Sequence, residues 1–349
     1  MGGGSGVIGI EPKFIAPDAG ALTRITALTM KTLTRPLFAL TFTTSLALLA
    51  ADKPKIETYL DPEKAGPDFA DQGEYLNDWG GAQVIALGEG KFRLVILKGG
   101  LPGAGWDKEV RQESEGKREG DKIVFEKSEN DFTHRLANGV LTTTAPNGDG
   151  YKMNKTSRAS PTLGAKPPPG AMVLFDGTSA DAWTGGHLDE RRLLAAGTKS
   201  KRGFTNFTLH VEFLLPFKPL GRGQDRGNSG VYLQDRYEVQ VLDSFGLKGD
   251  NSECGAIYSK LKPDVNMCFP PLIWQTYDIE FTAAQFDADG TKTKNAVATV
   301  KHNGVTIHDH AEISGPTGGG APETPQGGPI QLQGHGSPVF YRNIWVVEK

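Results

Sequence analysis

The stretch that decides the fold is Asn228-Ser229-Gly230-Val231-Tyr232-Leu233-Gln234-Asp235-Arg236-Tyr237-Glu238-Val239-Gln240-Val241-Leu242-Asp243. Two runs of alternating apolar and polar residues flank a short polar break at Asp235-Arg236, the pattern of a β-hairpin with two distinct faces. In the second run Val239 and Val241 point one way, and Glu238 and Gln240 the other. In a regular strand Asp243 falls on the apolar side, but one β-bulge near Leu242 would rotate it onto the face of Glu238 and Gln240. With Tyr232 and Gln234 opposite, this row is a candidate active site. The alternative is a surface strand with incidental polar residues.

Outward from the hairpin the strand signals are dense. They include Phe207 to Phe213, Gly255 to Tyr258, Thr276 to Phe281, Ala296 to Lys301, Val305 to His308, Pro329 to Gln333 and Val339 to Val347. Asn303-Gly304 is a two-residue hairpin turn, because both positions must accept positive φ. Many short strands joined by hairpins with almost no helix predict an all-β, two-sheet sandwich of jelly-roll type over 171 to 349. Residues 161 to 170, with Pro167-Pro168-Pro169, read as an extended linker. Upstream, 51 to 160 carry strand-like runs at Gln83 to Leu87, Phe92 to Leu97 and Lys122 to Glu126, which predict a small β-rich domain with no catalytic constellation. Its Trp106 could meet a sugar ring, although packing over its own core is the commoner role. Residues 1 to 50 read as a leader and signal peptide: Lys31 and Arg35 precede an apolar run ending near Ala50, with Met30 as the natural start. The chain is therefore expected to be exported, to periplasm or beyond, with no membrane span once the signal is cleaved.

With 349 residues, 45 Gly, 22 Pro and a net charge of −3, the chain has no basic field for nucleic acid. A neutral substrate fits this balance best, and the composition says nothing of oligomeric state. Cys254 and Cys268 could pair in an exported chain or remain buried thiols. No cofactor is expected, with a divalent metal left open. His308-x-His310 and Asp287-x-Asp289 lack the further ligands a metal site needs. The Gly- and Pro-rich loop 315 to 328 has no core-forming residue and reads either as a mobile lid or as a plain flexible connection.

The row Glu238-x-Gln240-x-x-Asp243 resembles the catalytic strand of laminarinase-type retaining glucanases, with an amide where the middle acid would stand. A wider set of motifs comprises Leu174-Phe175-Asp176-Gly177 with Trp183, Asn228 to Leu233, Tyr237 to Asp243, Gly255 to Tyr258, Trp274, His302 to Val305, and Ile330 to Gly336 with Arg342-Asn343-Ile344. Together these resemble the 3-keto-disaccharide hydrolase domain family, and the resemblance implies a concanavalin A-like lectin/glucanase jelly roll. It also implies cleavage of glycosides already oxidised at sugar C3, chemistry that needs an acid and a base but no strong nucleophile. On that reading Glu238 and Asp243 form the acid/base pair, with His335 as an alternative proton carrier. Asn228, Tyr232, Gln234, Gln240 and Gln333 would hold hydroxyls or the ketone, and Arg342 would steady a carboxylate. A non-catalytic carbohydrate-binding module and an envelope structural protein are the competing classes. Trp183 and Trp274 look more like core than sugar platforms, which weighs against a pure lectin.

Overall fold

The computed structural model describes residues 57–128 and 130–349; the leader and signal peptide lie outside them. Among the described residues no helix is long and apolar enough to cross a membrane.

The N-terminal part is a closed eight-stranded antiparallel barrel. Its strands are β1 (Gly73–Leu76), β2 (Gly80–Gly88), β3 (Lys91–Lys98), β4 (Arg111–Glu119), β5 (Lys122–Phe125), β6 (Thr133–Ala137), β7 (Val140–Thr144) and β8 (Gly150–Thr156). Closure removes the exposed edges that a short open sheet would present. Tyr75, Val84, Phe92, Leu94, Ile123, Phe125, Leu136, Leu141 and Met153 fill the interior. One end is plugged by helix α1 (Gly66–Asp71), whose Asp68 and Asp71 bind Arg118, and by Phe217 from the following domain.

The rest is a two-sheet sandwich. Its strands are β9 (Met172–Phe175), β10 (Trp183–Thr184), β11 (Leu194–Ala195), β12 (Thr198–Phe204), β13 (Phe207–Leu214), β14 (Ser229–Leu233), β15 (Tyr237–Val241), β16 (Trp274–Thr282), β17 (Gln285–Phe286), β18 (Lys292–Lys294), β19 (Ala296–His302), β20 (Val305–Ile313), β21 (Gly328–Leu332) and β22 (Phe340–Glu348). One sheet has the order β10-β12-β21-β14-β15. The other runs β11-β22-β13-β16-β19-β20, with β9 also on β22, and β17 and β18 form a separate ribbon. Strand alternation sends Val231, Leu233, Val239, Val241, Ile330 and Leu332 from the first sheet against Leu209, Val211, Phe213, Tyr277 and Ile279 from the second. Asn303 and Gly304 have φ of 49° and 79°, as the hairpin turn between β19 and β20 requires.

Barrel and sandwich share a joint. Phe245 packs on Ile85, Val95 and Leu97, with Trp106 beside them, so Trp106 serves packing. Arg222, Arg226 and Arg111 donate to the carbonyls of Leu87, Ala86 and Gly246 across the joint. Residues 161–170 run along the outer face of the second sheet: Thr162 donates to Asp278, Gly164 N donates to Glu212, and the Ala165 carbonyl accepts from Asn343 and Trp345. Cys254 and Cys268 are both buried as free thiols.

Candidate active site

Because Tyr232 pairs with Glu238 and Gly230 with Gln240, these four share the face of the first sheet that looks away from the core. β21 lies on the other side of β14, where Gln333 N donates to the Gly230 carbonyl. β15 would be an unpaired edge, but the segment around Ile257 bonds to it: Gln240 N donates to the Ala256 carbonyl and Tyr258 N to that of Glu238. Gly255 to Tyr258 is thus an isolated bridge rather than the expected strand, and it brings Tyr258 to the site. These elements enclose a cleft of about 250 Å³ lined by Gln224, Asn228, Glu238, Gln240, Tyr258 and Gln333, with Gly318, Gly319 and His335 at its rim.

Glu238 sits at the floor, 2% exposed. Its Oε2 accepts from the Tyr232 hydroxyl at 2.9 Å, and Oε1 has no partner among the described residues. Burial pushes the carboxyl up to about 7, against the pull of the Tyr232 hydrogen bond. Gly230 makes the room, because a Cβ there would lie 2.2 Å from Oε1. The amides around Glu238 are oriented by Gln224, whose Oε1 accepts from Asn228 Nδ2 at 2.9 Å and Gln240 Nε2 at 3.2 Å while its Nε2 donates to the Ser252 carbonyl. Gln333 Nε2 donates to the Tyr232 hydroxyl. As a result Asn228 Oδ1 and Gln333 Oε1 are buried acceptors without a protein partner among the described residues. Such atoms are costly unless a donor reaches them, and a sugar hydroxyl is a donor of the right kind.

The loop 315–328 is tied down, unlike the lid or flexible connection its composition suggests. Thr317 N donates to the Arg236 carbonyl, Thr317 Oγ1 accepts from Glu238 N, and the Gly318 carbonyl, 2.6 Å from the Tyr232 hydroxyl, shares that single proton with Glu238 Oε2. The Arg236 guanidinium donates to the carbonyls of Pro322 and Gln326 and to Thr324 Oγ1. Tyr237 and Lys292 hold Glu323.

Three expected site residues are placed elsewhere. β15 ends at Val241, so Leu242 and Asp243 lie beyond the strand that carries Glu238 and Gln240, and Asp243 N donates to the Arg226 carbonyl. Asp243 is buried at the barrel–sandwich joint, where Oδ2 accepts from Arg226 Nε at 2.8 Å and Oδ1 from Phe245 N. Burial there pushes its carboxyl up while Arg226 pulls it down. Gln234 is in the turn with φ of 56°, its amide donating to the Phe204 and Thr205 carbonyls and accepting from Arg236. Arg342 lies on the outer face of the second sheet, bonded to Glu212 at 2.7 Å with its guanidinium 4.0 Å from the Trp274 ring centroid. There Glu212 is held down to about 2, despite its burial, by His210, Asn343 and Arg342. Gln224 and Tyr258 are the cleft residues that sequence reasoning missed. Trp183 is core, and Trp274 lies under Arg342. His308 bonds the Gly255 carbonyl, His310 pairs with exposed Asp309, and Asp287 caps its own turn.

The sequence profile of the 3-keto-alpha-glucoside-1,2-lyase-like domain matches residues 170–347, just over half of the chain. The chain belongs to that family. This lyase-like domain spans the sandwich and the whole cleft, and it marks the protein as carbohydrate-active. Among solved structures, a candidate glycosyl hydrolase from Parabacteroides distasonis is 35% identical over 52% of this chain and 85% of its own, with a TM-score of 0.48. Another from the same organism is 21% identical over 51% of this chain and 99% of its own, with a TM-score of 0.37. No curated protein matches the chain.

Proposed function

We propose that the cleft cleaves 3-keto-glycosides by proton transfer, with Glu238 as the base. The observation that carries this reading is a single buried carboxylate, pushed up to about 7, facing a cleft whose other polar side chains are four amides, Tyr258 and the rim residue His335. A ketone at C3 acidifies the C2 proton. Glu238 takes that proton, the C2–H electron pair becomes the C1–C2 double bond, and the C1–O bond breaks as the leaving oxygen gains a proton. Water adding back across the double bond would complete a net hydrolysis. His335, at the exposed rim of the cleft, would give the leaving oxygen its proton. Asn228 and Gln333 would accept from sugar hydroxyls, while Tyr232 holds Glu238 from behind. The pairing of Glu238 with Asp243 is set aside, because Asp243 belongs to the joint. The signal-like residues 30 to 51 support action outside the cytoplasm.

The test is release of the leaving group from a 3-keto-glucoside and from the matching unoxidised glucoside. Turnover of the ketone alone is expected. Equal turnover of both, or of neither, would overturn the reading.

A further inference from the structure

The barrel carries a cavity that the sandwich chemistry does not use. Its α1 end is plugged, but the opposite end is open and encloses about 330 Å³. There the inward positions of successive strands carry Ile96, Gln112, His134, Thr143 and Tyr151. His134 and Thr143 are each 3% exposed, at positions where apolar side chains would pack at lower cost. They satisfy one another through Nδ1 and Oγ1 at 2.9 Å. His134 Nε2 has no hydrogen-bond partner among the described residues. Burial lowers the affinity of the ring for a proton, so the imidazole is neutral.

The rim is aromatic. Trp79 is 39% exposed, and it meets Tyr151 edge to face with centroids 4.6 Å apart. Phe132 lies 6.4 Å beyond Tyr151. An eight-stranded barrel is just wide enough to hold one small ligand, and apolar cavities of about 150 Å³ already accept benzene.

We propose that this open end is a binding site for a one-ring aromatic alcohol, its ring against Trp79 and Tyr151 and its hydroxyl on His134 Nε2. The wall excludes the main competitor. A sugar would bring four or five hydroxyls to a cavity whose polar side chains, Lys98, Gln112, Asn130, His134 and Thr143, are set among Trp79, Ile96, Val110, Phe132 and Tyr151, and each hydroxyl left unpaired costs about 1–3 kcal/mol. An anionic ligand would meet a neutral imidazole at the floor, and the one cation among the described lining residues, Lys98, already pairs with Asp107 at 3.7 Å. The site is separate from the Glu238 cleft and does not depend on what that cleft does.

The experiment is ligand-observed NMR titration of the purified full chain with phenol and, separately, with methyl glucoside. Saturable binding of phenol is expected, weakened about tenfold in Trp79→Ala, where an aromatic contact and its buried area are lost. Trp79 is partly exposed, so this variant keeps the fold, which circular dichroism checks. His134→Gln should weaken phenol but leave toluene, which has no hydroxyl, unchanged. Glu238→Gln should bind phenol as the wild type does. Absence of saturable phenol binding, equal binding by Trp79→Ala, or methyl glucoside binding that is lost in Trp79→Ala would overturn the proposal.

Discussion

Substituting Gly230 by alanine tests the assignment of Glu238 without touching its chemistry. Gly230 has an ordinary extended backbone, so alanine adds no conformational strain. The added Cβ would fall 2.2 Å from Glu238 Oε1 and 2.8 Å from both Cγ and Cδ. These atoms belong to a side chain, which can swing, so the sheet is retained. The carboxylate must retreat by about 1 Å to regain ordinary contact, and a misplacement of that size at a reacting group costs about 100-fold in rate. The retreat also strains the 2.9 Å bond from Tyr232. The assay is kcat on a 3-keto-glucoside beside the thermal midpoint and the pH profile. A fall in kcat of about two orders of magnitude, with the midpoint within a few degrees of wild type, is expected. Turnover within threefold of wild type would refute the view that Glu238 Oε1 takes the proton.

Because Glu238 titrates near 7 when folded and near 4.5 when unfolded, the folded state binds its proton more tightly, and that stabilisation, full below 4.5, is lost as the pH rises to 7. Glu238→Gln should therefore be more stable than wild type at pH 8, by up to about 3 kcal/mol, and should match it at pH 4, as denaturant unfolding at the two pH values will show. Its turnover should vanish, and in the wild type kcat/KM should rise with pH through about 7. Asp243→Asn leaves Arg226 buried without its partner and should cost about 3–5 kcal/mol, measurable by unfolding, while the fraction still folded keeps its kcat. His335→Ala should slow substrates with poor leaving groups far more than those with good ones, and equal slowing of both would remove the proton from His335.

The hairpin was legible because alternation alone separates Val239 and Val241 from Glu238 and Gln240, and the same rule put Gln333 on the neighbouring strand. Asp243 was misread because its spacing invited a bulge, while its true partner Arg226 lies in an unpatterned segment 17 residues upstream. Gln224 and Tyr258 escaped for a related reason: one sits in the single turn Gly223–Asp225 and the other beside an isolated bridge, neither with periodicity to mark it. Barrel closure was hidden by β4, whose Arg111-Gln112-Glu113-Ser114-Glu115-Gly116-Lys117-Arg118-Glu119 has no apolar face. The loop 315–328 looked free because what holds it is mostly backbone carbonyl, and carbonyls leave no trace in residue type.

That loop accounts for how one carboxylate would suffice for the proposed proton transfer. A base with a value near 7 can be made by a neighbouring negative charge or by burial alone, and the two differ in what else the site must hold. Here the direct partner of the carboxylate is the neutral Tyr232 hydroxyl, Asp243 is spent on Arg226, and Arg342 is on the other sheet. Burial must therefore supply the whole upward shift, which requires Glu238 to stay dry and fixed in place. Thr317 holds its backbone N–H, the Gly318 carbonyl holds Tyr232, and Gly319, with φ of 76°, passes so close that a Cβ there would lie 3.3 Å from the Tyr232 hydroxyl. Arg236 fastens the far side of the loop. On the function proposed for it, the cleft would meet a neutral, activated sugar with one tuned base, where a retaining glucanase would need a second acid beside it.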